Sequence, residues 1–155
     1  LPPLNIKGYE EKSGKLDISL RENSQVNHKL QALQNTLFTV VFSHQRIWFP
    51  NQNKEVSELQ RLFQPLIDSD ILHLYCPILD EKKNTNEKIQ IFRNEQGKVK
   101  HYEGMKENLL KPGDTVRVAL RIQGLSFHNN PVTNQWSGKF RLQHRILAIY
   151  INLAS

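Results

Sequence analysis

The chain has 155 residues, 38% of them hydrophobic, which suits one domain large enough to bury a core without disulfide support. Its formal charge of +6 and its pI near 9.5 bias its partners toward polyanions. A lone Cys76 excludes an internal disulfide framework, no Asn-x-Ser/Thr sequon occurs, and no apolar run approaches the roughly 20 residues of a membrane-spanning helix. These features predict an intracellular protein of a reducing compartment, the nucleus ahead of the cytoplasm, with no membrane partner. Met105 is the only methionine and the chain opens Leu1-Pro2-Pro3, so it reads as part of a longer protein.

In chain order, residues 1–15 are polar and without period, which predicts a flexible N-terminal arm or an edge element of low order ahead of one domain over 16–155. Leu16 to Leu20 alternates as a short strand. Ser24 caps a helical stretch carrying Val26, Leu30 and Leu33 and ending near Asn35. The β-branched and aromatic run Leu37 to Phe42 predicts a buried strand, paired with a second apolar burst at Ile47-Trp48-Phe49 before Pro50. Val56, Leu59, Leu62, Phe63, Leu66 and Ile67 recur at helical spacing, so a helix is expected over about 54–64, capped by Asn53 and stopped by Pro65. Ile71 to Leu79 is apolar without a helical repeat, and Asp80 to Glu87 is a polar loop. Lys88 to Arg93 and Lys98 to Tyr102 flank the turn Asn94-Glu95-Gln96-Gly97 as a hairpin. The turn Lys111-Pro112-Gly113-Asp114 then leads into the alternation of Thr115 to Ile122, and Lys139 to Asn152 closes the chain as a long strand.

Six or seven strands with one or two helices, never settling into alternating βα units, predict a mainly β fold: antiparallel strands with helical caps. The Pro-Gly-Asp turn, long strand, wide loop and long closing strand over Leu110 to Ile151 resemble the latter part of an OB-fold barrel. That resemblance implies a closed antiparallel OB-like β-barrel whose usual ligands are single-stranded DNA, RNA or oligosaccharides.

No phosphate loop, His-Glu-x-x-His or Gly-x-Ser-x-Gly elbow occurs, so the sequence supports binding rather than catalysis and implies no cofactor. His73 and Cys76 are spaced to offer two metal ligands, but structural zinc usually takes four; Asp68, Asp70, Asp80 and Glu81 read as solvated carboxylates.

The constellation that carries chemistry lies on the last two long strands. With Val116, Val118, Leu120 and Ile122 inward, period two turns Arg117 and Arg121 outward; with Phe140 and Leu142 inward, Arg141 and Arg145 also face out. Four arginines on one surface form a donor array suited to phosphate, with Lys139 at its mouth, although an ordinary polar outer face has the same pattern. Between the strands, a long loop over Gly124 to Gly138 holds Phe127, His128 and Trp136, whose rings are either buried under the barrel or available to stack on bases. The expected partner is single-stranded DNA or RNA. The alternative is docking into a multi-subunit assembly through Phe127, Trp136 and the apolar stretch Ile146 to Ile151.

Overall fold

A computed structural model describes residues 1–49, 54–78, 88–129, 131–133 and 136–153, with the backbone alone for 136–138. The elements are β1 (Leu4–Glu10), β2 (Lys15–Ser19), α1 (Ser24–Trp48), α2 (Val56–Leu62), β3 (Phe63–Gln64), β4 (Ile67–Asp68), β5 (Ile71–Tyr75), β6 (Gln90–Glu95), β7 (Lys98–Glu103), β8 (Thr115–Asn129) and β9 (Trp136–Ile151). The fold is mainly β. All strands belong to one sheet in the order β4-β5-β2-β1-β8-β9-β6-β7, with β3 paired to β9.

The meander β1-β2-β5 is antiparallel, and β1 joins the long β8-β9 ribbon through Leu4 opposite Val116. Alternation fixes this half. Leu4, Ile6, Leu16, Ile18, Leu72, Leu74, Val116, Val118, Ile149 and Ile151 are all buried in one core, while their sequence neighbours face out. In place of a flexible arm or an edge element, Leu4 and Ile6 are buried in the core and β1 lies between β2 and β8, so the chain from Leu4 is held inside the sheet.

The expected closed barrel is also corrected, because the sheet path is open. The outer edge of β9 is occupied in parallel by two other strands, β3 at Phe140 and Arg141 and β6 from Ala148 to Ile151. Between those two pairings β5 meets β9 without a backbone ladder. Instead, the Tyr75 N–H donates to His144 Nε2 at 3.0 Å. A side chain thus bridges the seam where closure would require main-chain bonds.

The strand pair expected over 37–49 is likewise corrected to the second half of one helix, α1. Its β-branched residues are overridden by packing: Leu30, Gln34, Phe38, Val41 and Gln45 recur at three- and four-residue spacing and continue the buried side of the first half. Asn23 rather than Ser24 is the cap, its Oδ1 accepting from the Val26 N–H at 3.2 Å. Val41 packs with Leu59 and Phe140 in a second, aromatic cluster that takes in Phe38, Phe49, Phe63 and Phe127. The rings of Phe63 and Phe140 stack at 5.0 Å. This cluster seats the helices on the distal half of the β8-β9 ribbon. Helix α2 is shorter than expected, because Pro65 disfavours helical backbone at Gln64 and the chain leaves as β3 from Phe63. The expected cap Asn53 and the loop from Asp80 to Glu87 lie outside the described residues.

Two buried glutamines tie α1 to the chain beside it. Gln34 Oε1 accepts from the N–H of Leu66 at 2.7 Å and of Ile67 at 3.3 Å; Gln45 accepts from the Lys54 N–H and donates to its carbonyl at 2.7 and 2.8 Å.

Candidate nucleic-acid interface

The site is built on the β8-β9 ribbon. Most of the wide loop expected over Gly124 to Gly138 is corrected to strand, because β8 runs on to Asn129 and β9 begins at Trp136. Their register pairs Arg117 with Tyr150, Ala119 with Ala148, Arg121 with Arg145, Gly124 with Gln143 and Ser126 with Arg141 on one face. The intervening pairs, Val118 with Ile149, Leu120 with Ile146, Leu125 with Leu142 and Phe127 with Phe140, form the other face. Burial identifies that second face as the core side.

All four arginines therefore lie on the outer face of the ribbon. Arg117, Arg121 and Arg141 are exposed and Arg145 is half-buried. Among the described residues, Arg117, Arg121 and Arg141 form no ion pair with a carboxylate. Arg121 and Arg145 stand directly opposite each other in the register. Lys139 and His128 are exposed at the distal end of the ribbon.

Two bulges set this arrangement. β9 carries Leu147 as an extra residue opposite the step from Ala119 to Leu120, and β8 carries Gln123 opposite the step from Gln143 to His144. Each bulge turns the residues beyond it over. Strict alternation from Arg145 would send Tyr150 to the core side; the bulge at Leu147 brings it out beside Arg117.

Of the ring residues read from the sequence, Phe127 is packed. It is half-buried on the core side, with Phe49 at 5.2 Å, Trp48 at 6.0 Å and Phe140 at 6.1 Å. The side chain of Trp136 lies outside the described residues. The stretch Ile146 to Ile151, expected as a partner surface in the docking alternative, is corrected: Ile146, Ala148, Ile149 and Ile151 are buried, and only Leu147 and Tyr150 reach solvent.

A row of rings that the sequence reading missed crosses the same outer face. Phe92 of β6 pairs in register with Tyr150 and stacks on it at 5.1 Å and 9°; on its other side it stacks on His101 of β7 at 4.6 Å and 17°. His101 Nε2 and Gln90 Oε1 lie 2.5 Å apart, which orients the imidazole at the end of the row. The parallel pairing of β6 with β9 creates this row. No local pattern announces that pairing, although Phe92 and His101 on opposite strands of the expected hairpin were a partial signal.

The remaining candidates are engaged structurally. His73 Nδ1 is 2.7 Å from Asp17 Oδ1, and burial pushes the Cys76 thiol up to about 12, so that sulfur stays protonated. Among the described residues, no group of three His, Cys, Asp or Glu side chains gathers as a metal site, and no helix is long and apolar enough to cross a membrane. Comparison with known protein families, with curated proteins and with solved structures finds no match to this chain.

Proposed function

We propose that this chain binds single-stranded nucleic acid on the outer face of the β8-β9 ribbon, without catalysis and without a cofactor. The observation that carries the reading is the cluster of Arg117, Arg121, Arg141 and Arg145 on one face, with Arg121 and Arg145 opposed in register. A guanidinium fork matches phosphate, and the backbone of a single strand brings one charge per linkage. Three further supports are the net charge of +6, the exposed Lys139 and His128 at the distal end, and the rings of Phe92 and Tyr150 on the same face. The resemblance to OB folds enters here as part of the proposal: the arrangement of β1, β2, β5, β8 and β9 fits a partly open five-stranded barrel of that kind. The parent protein would then be one that handles nucleic acid, in the nucleus.

Fluorescence anisotropy with labelled oligonucleotides of about 12 nucleotides tests the reading. We expect binding that weakens with salt at a slope near −3 on logarithmic axes, since four phosphate contacts on a single strand each contribute about −0.7. Absence of binding at low salt would overturn it.

A second reading, docking within an assembly, is favoured by a different surface. Leu33, Val40 and Ile47 fall seven residues apart along one flank of α1, and Ile47 is 73% exposed. Apolar docking there would be insensitive to salt.

A further inference from the structure

Resting on the nucleic-acid reading, we infer that the outer face of Tyr150 is the seat for one unstacked nucleobase, with Arg117 across from it. The rings of His101, Phe92 and Tyr150 run in a row across three strands, nearly parallel, so each inner ring face is already covered by a neighbour. The row ends on β9 because the register partner of Tyr150 on β8 is Arg117 rather than another ring. The Tyr150 face directed toward β8 is thus the continuing position of the stack. It opens into a cleft of about 410 Å³ lined by Arg117, Val118, Ala119, Tyr150, Leu1 and Leu153. That volume lies in the roughly 300–1,000 Å³ range of small-molecule sites.

The chemistry of this cleft selects its occupant. An aromatic face on one side and a guanidinium on the other suit a planar, electron-rich ring carrying an anionic linkage, which describes a nucleotide. The apolar remainder of the lining, Leu1, Val118, Ala119 and Leu153, presents no side-chain donor or acceptor for a base edge. The seat therefore accepts any base and reads no sequence. Its place also sets the track. Tyr150 and Arg117 lie at one end of the outer face, and Ser126 with Arg141 lies nine residues further along β8, roughly 30 Å at about 3.3 Å per residue. A strand seated at Tyr150 would run along the ribbon past Arg121 and Arg145 toward Arg141.

The test is a 12-nucleotide thymidine strand carrying a single 2-aminopurine, moved one position at a time. With the unaltered protein we expect quenching at every position that can reach the seat, weaker at each than for a fixed register, because a base of any identity stacks on Tyr150 and the thymidine strand binds in several registers. Tyr150→Leu should abolish that quenching and weaken binding roughly tenfold while leaving the salt slope unchanged; Tyr150→Phe, which retains the ring, should behave as the parent. Photo-crosslinking of the same strand carrying 5-iodouracil to the unaltered protein reads the contact without any substitution, and the adduct should map to Tyr150. If the strand binds but no position is quenched, if Tyr150→Leu binds and quenches like the parent, or if adducts form only elsewhere, the inference falls and the arginine-face reading stands. If the strand does not bind the unaltered protein at all, both fall.

Discussion

Gln34 shows how much a single buried polar residue holds in this fold. It is 8% exposed, and its amide satisfies the N–H groups of Leu66 and Ile67 where β4 begins. Gln34→Leu would fill similar space and orphan both donors. An unmet buried donor costs about 1–3 kcal/mol, and each kcal/mol lowers Tm by about 2–4 °C in a chain of this size. A scanning calorimetry trace should therefore show a fall of several degrees, whereas Gln31→Leu, one turn earlier and exposed, should move it by little. Gly14 makes a second demand of this kind. Its φ is +73°, and a Cβ there would lie 2.9 Å from Pro77 Cα, in the turn where the Cys76 N–H donates to its carbonyl. Backbone strain of about 1–2 kcal/mol adds to that collision, so Gly14→Ala should lower stability by about 2 kcal/mol or more in urea titrations. Neither role could be read from the sequence, because a glutamine in a polar helix and a glycine in a turn look the same whether or not something distant closes on them.

At the scale of elements, the seam between β5 and β9 depends on an imidazole that must stay neutral. Burial, with the Arg141 guanidinium nearby, holds His144 below the ordinary histidine value despite an opposing hydrogen bond to the backbone of Leu142. Its neutral Nε2 accepts from the Tyr75 N–H, and protonation would replace that acceptor with a donor. The folded state binds this proton less readily than the unfolded chain. The contribution is therefore complete above pH about 6.5, the unfolded value, and is lost as pH falls from there toward the lowered folded value. Urea midpoints should decline over that window. In His144→Gln, which keeps an acceptor and does not titrate, the decline should be smaller; an identical decline in both would refute the role of the seam. The elements themselves were legible where one face is core, as in β2 and the start of β8, since alternation there states both type and orientation, while the β6-β7 hairpin was legible from its turn. Residues 37–49 misled because valine, phenylalanine and isoleucine favour strands unless a partner surface accepts them as a helix. Here Phe63, Phe140 and Leu59 provide that surface, and all three are distant in sequence.

Across the whole molecule, the proposed interface depends on long-range register, and this separates what local pattern conveys from what it does not. Period two was enough to align Arg117 with Arg121 and Arg141 with Arg145 within their own strands. It could not place Tyr150, which reaches the outer face only through the bulge at Leu147, or Phe92, which arrives by a parallel pairing of β6 with β9. The decisive variant reverses two charges on separate strands, Arg121→Glu with Arg141→Glu. Both side chains are exposed and form no ion pair among the described residues, so the domain should stay folded, with stability changed by about 0.5 kcal/mol or less per site. Each reversal removes a phosphate contact and sets a carboxylate against the backbone. Oligonucleotide binding should then fall below detection at physiological salt and recover only in part at low salt, with a shallower slope. A pair of reversals on α1, Lys29→Glu with Arg46→Glu, lowers the net charge by the same four units away from the ribbon and serves as the control for net charge. If the two double variants lose affinity equally, bulk charge rather than the arginine face drives binding; if only the ribbon variant loses it, the β8-β9 face is the site. Should both bind as the unaltered protein does, the arginines are an ordinary solvated surface, and the exposed flank of α1 becomes the interface to pursue.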